Sequence, residues 1–145
     1  MIREALFTDI DRIMHIWLTA STSAHDFITK EYWREKYGDV KHNYIPQAKS
    51  YVYVENGIIQ GFVSIVDNKY LGAIFIDIDH QNRGVGRMLT DFVKEKYPVL
   101  SLTVYEKNKV AVGFYKKQGF KLAKCQVDKN TGEKELVMEW KASLK

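Results

Sequence analysis

Two glycines, Gly84 and Gly86, follow an apolar segment and precede an amphipathic one in residues 76–88, which read IDIDHQNRGVGRM. The pattern predicts a buried strand, a short loop and the first turn of a helix. Such a turn has unpaired backbone N–H groups and the positive end of the helix dipole, and glycines let that backbone approach an anion closely. The loop therefore predicts a phosphate-binding site, to which Arg83 and Arg87 add positive charge.

The two glycines alone are a weak signal, because many strand-to-helix turns need a glycine only for the bend. The better-known nucleotide-binding signatures are absent from the sequence. There is no GxxxxGK(S/T) motif, and GxGxxG fails because Leu89 occupies the position of the third glycine. A second motif is needed before the loop indicates a ligand.

Two motifs together resemble a known family. Gln81-x-x-Gly84-x-Gly86 after an apolar strand resembles the (R/Q)xxGxG/A signature of the GNAT superfamily of N-acetyltransferases. About twenty residues later, a second segment is similar to the NxxAxxFYxxxGF segment of that family; it consists of Asn108, Ala111, Phe114, Tyr115, Gly119 and Phe120. Residues 2–5, 25–28, 61–65 and 104–108 resemble in particular a bacterial YiaC-type group that is associated with protein lysine acetylation.

The resemblance implies an acetyl-CoA-dependent N-acetyltransferase whose loop amides bind the pyrophosphate of the cofactor. The residues implied at this position are Asn82, Arg83, Gly84, Val85, Gly86 and Arg87. The end of the preceding strand is implied to pair with the pantetheine amides, and the residues there are Ile76, Asp77 and Ile78.

Tyr115 is the implied catalytic acid, because the resemblance places it next to the cofactor sulfur. A phenol has an ordinary pKa near 10, so it keeps its proton at neutral pH and can give it to a departing thiolate. Helical spacing alone would make Tyr115 a core aromatic residue. Asn108 is implied to bind the pantetheine, and it is also a good N-cap for its own helix; the two roles are compatible.

The sequence assigns no general base. Relatives that acetylate protein N-termini carry Glu five residues before the Asn of the second motif, and here that position is Thr103, which cannot act as a base. Glu106, Asp77 and His25 are the remaining candidates, directly or through water. Each of the three is also explained as a structural or solvated residue.

We expect the acceptor to be a primary amine, and the resemblance favours protein lysine side chains. A small-molecule amine, aminoacyl-tRNA, or a non-catalytic CoA-binding role are the alternatives, and the phenol of Tyr115 argues against the last. The net charge of +4 suits an anionic partner; a phosphate-rich cofactor is favoured over nucleic acid. The acceptor pocket is expected to involve residues 23–27, Tyr32, Trp33 and Tyr70, with His25 an ordinary loop histidine.

A framework of strands and helices must position these residues. Apolar residues from Ile10 to Leu18 predict a helix with Thr8 as N-cap, followed by a loop over residues 21–27 and a second helix over residues 30–37 that ends near Gly38. Further helices are predicted at residues 84–96 and 108–118, and strands at 2–6, 50–55, 58–66, 70–78, 99–105, 120–127 and 135–140. The order β-α-α-β-β-β-α-β-α-β-β predicts an α/β fold, a GNAT-like mixed β-sheet flanked by helices, with strand 70–78 central because it is apolar on both faces.

Length and composition predict the number of domains, the compartment and the absence of a metal site. A chain of 145 residues with 46% hydrophobic content predicts one domain, residues 1–145, here a single N-acetyltransferase domain. One cysteine, no leader-like N-terminus and no apolar run of about 18 residues predict a cytoplasmic protein without membrane contact, as a monomer or homodimer. The histidines and the cysteine lack metal-site spacing, so no metal is predicted.

Overall fold

The computed structural model describes residues 1–143, which form seven strands and four helices. The strands are β1 (Ile2–Glu4), β2 (Lys49–Glu55), β3 (Ile58–Val66), β4 (Tyr70–Ile76), β5 (Val99–Tyr105), β6 (Lys121–Val127) and β7 (Lys134–Lys141). The helices are α1 (Ile10–Ala24), α2 (Lys30–Asp39), α3 (Val85–Lys96) and α4 (Lys109–Lys117). The predicted order of strands and helices is confirmed.

The seven strands form one mixed sheet in the order β1-β2-β3-β4-β5-β7-β6. β4 is the central strand, as its apolar sequence predicted. Neighbouring strands are antiparallel except for β4 and β5, which are parallel. A parallel pair needs a crossover connection, and α3 provides it.

β4 and β5 pair only where they begin. Within residues 1–143, Tyr70 and Ser101 are the only register pair of these two strands, and the N–H of Ser101 donates to the carbonyl of Lys69 at 2.9 Å. Beyond this point the strands diverge, so each has one backbone edge that borders a gap instead of a neighbouring strand. The site described below is built around this gap.

Helices cover both faces of the sheet, and each face has its own core. On the face of α3 and α4, the core includes Leu89, Val93, Leu100, Leu102 and Met138. On the face of α1 and α2, it includes Ile13, Met14, Trp17, Trp33 and Phe62. Among residues 1–143, no helix is both long and apolar enough to cross a membrane.

α1 extends through residues that the sequence assigned to a loop. Ser21 is fully buried, at 0% exposure, because it lies on the same helix face as Ile13, Trp17 and other core residues. The helix ends at His25, whose ring Nδ1 lies 2.8 Å from the carbonyl oxygen of Ser21. Packing against the sheet therefore outweighs the weak helix propensity of serine and threonine, and the loop begins only at His25.

α2 ends one residue after Gly38, close to the predicted end, but the chain remains helical beyond it. α2 continues to Asp39 and leads into a π-helical turn, Val40–Tyr44, and a 3-10 turn, Ile45–Gln47. A glycine ends a helix when it adopts the left-handed conformation, and Gly38 does not have a positive φ.

Thr8 is not the N-cap of α1. Phe7–Asp9 forms a 3-10 turn ahead of the helix, and the carboxylate of Asp9 accepts the N–H of Leu6 at 2.7 Å. Arg3 holds that carboxylate with two hydrogen bonds, at 2.7 and 3.1 Å. These bonds fix the entry of the chain into α1, a role that the sequence assigned to the threonine.

Candidate active site

A cavity of about 920 Å³ occupies the gap between β4 and β5. Its walls come from both faces of the sheet. Val85 and Tyr115 contribute from α3 and α4, whereas Trp17 and Trp33 contribute from α1 and α2. Because the cavity passes through the sheet, two molecules that enter from opposite faces can meet inside it.

The loop before α3 forms one end of the cavity. Gly84 is the N-cap of α3 and has a φ of 81°, in the left-handed region that glycine adopts without strain. A Cβ placed on Gly84 would have no atom within 4 Å, so the space in front of the helix is open. The N–H of Met88 is bonded to the carbonyl of Gly84 at 3.0 Å, and the N–H groups of residues 85–87 lie ahead of it, in the unpaired first turn.

Five of the six predicted phosphate-loop residues line the cavity, together with Gln81. The five are Asn82, Gly84, Val85, Gly86 and Arg87. Arg83 does not line it, and its side chain is exposed. Asn82 has a left-handed φ of 64°. The turn therefore presents Asn82 and Gly84 to the cavity, whereas Arg83, which lies between them, faces solvent.

The strand before the loop faces the cavity further upstream than predicted. β4 ends at Ile76, and residues 71–76 line the cavity, whereas Asp77 and Ile78 do not. The buried carboxylate of Asp77 lies 2.6 Å from Nδ1 of His80 and 3.5 Å from the guanidinium of Arg12. Ile78 begins a 3-10 turn and is 47% exposed. Asp77 and Ile78 therefore belong to the turn that follows β4 and not to the strand edge that borders the cavity.

Tyr115 lines the cavity from α4. Its ring packs edge-on against Phe114 and Phe120, with centroids 5.5 and 5.8 Å apart. Burial, and to a lesser degree the neighbouring phenol of Tyr70, raise the pKa of Tyr115 above its ordinary value. The hydroxyl therefore carries its proton throughout the neutral range.

The side-chain amide of Asn108 is engaged at both ends. Its Oδ1 accepts the N–H of Ala111 at 3.3 Å, which makes it the N-cap of α4. Its Nδ2 lies 3.3 Å from Nε2 of His25. Asn108 thereby joins α4 to the end of α1 across the cavity wall.

His25 belongs to that wall and not to an ordinary loop. It is 6% exposed and stacks on Trp33, with ring centroids 5.0 Å apart. The tautomer that satisfies both ring nitrogens carries the proton on Nδ1, which donates to Ser21, and accepts the Asn108 amide at Nε2. Burial lowers the pKa of His25, so the ring is neutral at neutral pH.

Of the three candidate bases, His25 alone lines the cavity within residues 1–143; Glu106 and Asp77 do not. The single acceptor nitrogen of His25 is already bonded to Asn108. Thr103 lines the cavity at the position where N-terminal acetylating relatives carry Glu. The geometry therefore assigns no general base.

A smaller cavity, of about 400 Å³, adjoins the first on the side of α1 and α2. The two cavities share Trp17, Gly72, Ala73 and Glu135. The predicted acceptor residues divide between them: Tyr32 and Tyr70 line the smaller cavity, Trp33 and residues 23–25 line the larger, and Asp26 and Phe27 line neither. Burial, and to a lesser degree the phenol of Tyr70, raise the pKa of both Tyr44 in the smaller cavity and Tyr115 in the larger, so Tyr70 is within electrostatic reach of both.

Two titratable residues of the smaller cavity were missed from the sequence, Tyr44 and Glu135. The one available signal was Gly72, since a glycine inside a central strand indicates close approach by another group. A Cβ on Gly72 would lie 1.5 Å from the hydroxyl oxygen of Tyr44, so the glycine makes room for that phenol. Burial, with Tyr70, raises the pKa of Tyr44 to about 12.

In the part of the chain that the structure describes, no three His, Cys, Asp or Glu side chains are grouped in a way that could hold a metal ion. The polar groups that line the two cavities are backbone amides, phenols, two indoles, two hydroxyls, three side-chain amides, one imidazole, one guanidinium and one carboxylate.

The chain is similar to known proteins in both sequence and fold. Residues 14–141 match the acetyltransferase (GNAT) domain family. The chain is 36% identical over 140 residues to the peptidyl-lysine N-acetyltransferase YiaC of Escherichia coli, covering 97% of this chain and 96% of that protein. It is 35% identical over 129 residues to the peptidyl-lysine N-acetyltransferase YjaB of the same organism, covering 88% and 86%. The solution structure of apo YjaB superposes with a TM-score of 0.85 at 31% identity, covering 99% of this chain and 98% of that one.

Proposed function

Because the chain belongs to the GNAT acetyltransferase family, we propose that it transfers an acetyl group from acetyl-CoA to the lysine side chains of proteins. The observation that carries the proposal is the cavity through the sheet, which opens toward an anion-binding helix terminus at one end and an aromatic pocket at the other. The choice of lysine is supported by the activity for which YiaC and YjaB are named.

The donor end of the cavity fits acetyl-CoA. The N–H groups of residues 85–87 and the open space at Gly84 suit the pyrophosphate, and Arg87 adds a positive charge. The free backbone edge of residues 71–76 suits the pantetheine amides, because peptide-like groups pair with an open strand edge. When bound, acetyl-CoA supplies the acetyl group as an activated thioester.

Tyr115 supplies the proton in this proposal. Its phenol lines the larger cavity within electrostatic reach of Tyr70 of the smaller one, and burial keeps it protonated at neutral pH. Its Oη donates this proton to the sulfur as the thiolate leaves. Asn108 holds α4, and with it Tyr115, in place through its cap and its bond to His25.

The acceptor amine enters from the face of α1 and α2. An amine attacks a thioester only as the neutral base, and alignment with the thioester then provides much of the rate. Since no base is assigned, the proton of the incoming ammonium passes to water. The second proton, which the nitrogen loses as the amide forms, restores the phenol of Tyr115 through water. The walls of this entrance are aromatic, which suits the long apolar stem of a lysine side chain.

A panel of acceptors with one free amine each tests the proposal, read by CoA release from acetyl-CoA. The panel contains a peptide with one lysine and a blocked N-terminus, a peptide with a free N-terminus and no lysine, free amino acids and short diamines. We expect the highest kcat/KM for the lysine peptide. Preference for the free N-terminus or for a small amine would overturn the choice of lysine, and no turnover with any amine would overturn the proposed activity.

A further inference from the structure

Charge is unevenly distributed over the two cavities. Among the described residues that line the two cavities, Glu135 is the only acidic one, and Arg87 is the only permanently cationic one. Arg87 lies at the helix terminus, where an anionic donor is expected. Glu135 lies at the other end, where the two cavities join.

The strand register explains how Glu135 reaches this position. Leu136 and Met138 point into the core under α3 and α4, so Glu135 points to the face of α1 and α2. Glu135 is directly opposite Tyr105 of β5 and Gln126 of β6. The side chain is half-buried, in contrast to the exposed Glu139 further along the same strand.

Within residues 1–143, the carboxylate of Glu135 has no cationic partner. Gln126 donates from Nε2 to Oε1 of Glu135 at 3.1 Å. None of the ion pairs formed within residues 1–143 includes Glu135. A half-buried carboxylate with one neutral hydrogen bond has capacity for a positively charged group, which would offset the cost of its partial burial.

Aromatic rings surround this carboxylate. The smaller cavity has walls of Trp17, Tyr32, Tyr44 and Tyr70. Burial, and then the carboxylates of Asp128 and Glu135, raise the pKa of Tyr32, so Glu135 is within electrostatic reach of that ring. Aromatic faces attract ammonium groups, and a nearby carboxylate adds to the attraction.

We propose that Glu135 binds the ammonium form of the acceptor amine at the junction of the two cavities and thereby selects cationic acceptors. This inference rests on the proposed function. A carboxylate is a far weaker base than an amine, so Glu135 holds the ammonium group and does not deprotonate it. The lysine stem lies along the aromatic walls, and the amine reaches the thioester after its proton has passed to water.

The test compares Glu135→Gln with Glu139→Gln, an exposed glutamate of the same strand and face. Gln keeps an oxygen that can accept from Gln126, and it replaces the other carboxylate oxygen with an uncharged NH₂ group. For the blocked lysine peptide, we expect Glu135→Gln to raise KM about 10- to 100-fold, as for loss of a hydrogen bond to a charged group, with kcat within about threefold. Glu139→Gln should have the KM of the wild type, and neither variant should change the Kd of acetyl-CoA.

Two further measurements separate this role from a structural one. An alkoxyamine acceptor is uncharged at neutral pH, so its KM should be the same in the wild type and Glu135→Gln. Titration of the lysine peptide into protein saturated with CoA should show the same 10- to 100-fold loss of affinity without any turnover.

An unchanged lysine-peptide KM in Glu135→Gln would overturn the inference while leaving the proposed function intact. An equal rise in KM for the alkoxyamine would also overturn it, because the loss would then come from shape and not from charge. If the wild type turned over no amine, the proposed function would fail, and the peptide titration would still decide whether Glu135 binds a cation.

Discussion

The burial of Tyr115 has two opposite effects on a catalytic acid. Burial raises its pKa, so the proton is always present, but the same shift makes the phenol a weaker acid. A thiolate is already a fair leaving group, since a free thiol has an ordinary pKa near 8.5. The phenol is therefore expected to contribute at the lower end of the range known for general acids.

Changing Tyr115 to Phe removes one hydroxyl and retains the ring contacts with Phe114 and Phe120. We expect kcat to fall about 10²-fold, with the Kd of acetyl-CoA within about twofold of the wild type. Tyr97→Phe is the matched control, because Tyr97 is a buried tyrosine outside both cavities that bonds Tyr51 at 3.0 Å. A Tyr115→Phe enzyme with the kcat of the wild type, under conditions where chemistry limits turnover, would refute the acid role.

In the proposed mechanism, the raised pKa of Tyr115 also determines the pH dependence of kcat. A catalytic acid produces a falling limb when it loses its proton, and a pKa above the ordinary value near 10 moves that limb to higher pH. We therefore expect kcat to show no falling limb between pH 7 and about pH 10. A fall with a midpoint near pH 8 or 9, in an enzyme that remains folded, would show that the acid is a different group.

At the residue scale, the sequence identified the groups that belong to short motifs. Tyr115 and the loop around Gly84 belong to the two motifs that carry the family resemblance, and the structure brings them to one cavity. Glu135 and Tyr44 were missed for a physical reason. Glu135 reaches the cavity through strand register with Tyr105, and Tyr44 does so through a π-helical turn, and neither arrangement is encoded in local spacing.

The proposed donor site depends on the start of α3, where Gly84 is the position with the most restricted backbone. Gly84→Ala places a methyl group in the open space in front of the helix and forces a side-chain-bearing residue to a φ of 81°. We expect a stability loss of about 1 kcal/mol from the backbone strain and a weaker Kd for acetyl-CoA.

The matched control for Gly84→Ala is Gly57→Ala. Gly57 has a φ of 74°, nothing within 4 Å of its Cβ position, and a place in the β2–β3 turn. Thermal melts should show similar losses for both variants, whereas isothermal titration should show weaker acetyl-CoA binding for Gly84→Ala alone. Equal donor affinity in the two variants would mean that Gly84 serves only the turn.

β4 and the π-helical turn meet at Gly72, and their contact shapes the acceptor pocket. Gly72→Ala would place a Cβ 1.5 Å from the Tyr44 hydroxyl oxygen, so Tyr44 must move. We expect a stability loss of about 1–3 kcal/mol from overpacking and a raised KM for the acceptor, with the Kd of acetyl-CoA unchanged. Gly38→Ala is the control, since its Cβ position is open and its helical site favours Ala. Loss of donor affinity in Gly72→Ala, with acceptor KM unchanged, would contradict the division of the cavity.

At the scale of elements, strands were predicted best where turn chemistry and alternation coincide. Asn56 and Gly57, with φ of 53° and 74°, form the tight turn that their sequence predicts between β2 and β3. Helix ends were predicted less well, because they depend on packing. Ser21 remains helical since its face of α1 is buried, and Gly38 remains helical because the left-handed conformation is not needed there.

At the scale of the whole molecule, the divergence of β4 and β5 is the feature that creates the cavity. The sequence predicts both strands and the helix between them, and so the α/β class and the order of elements. It does not predict that the two strands pair only at Tyr70 and Ser101, because that depends on how both helical layers pack on the sheet. A cavity that joins the two faces is thus a property of the complete fold.

Acetyl-CoA binding should therefore stabilise the fold as a whole, because its proposed contacts extend from the first turn of α3 to the free edge of β4. At a concentration about a hundredfold above Kd, a ligand that binds only the folded state adds roughly 2.7 kcal/mol. For a domain of this size, that gain corresponds to a rise in Tm of about 5–11 °C, measured by differential scanning fluorimetry. Each further tenfold increase in ligand should add about 1.4 kcal/mol more.

The parts of the donor can then be separated with the same melts. S-acetylpantetheine lacks the nucleotide and the pyrophosphate, so it tests the strand edge alone and should raise Tm less than acetyl-CoA does. Gly84→Ala should reduce the shift produced by acetyl-CoA and leave the shift produced by S-acetylpantetheine unchanged, because only the larger ligand uses the helix terminus. An unmoved Tm at saturating acetyl-CoA would refute donor binding in this cavity. Equal shifts for both ligands would mean that the first turn of α3 takes no part in binding, and the open space at Gly84 would then serve the turn alone.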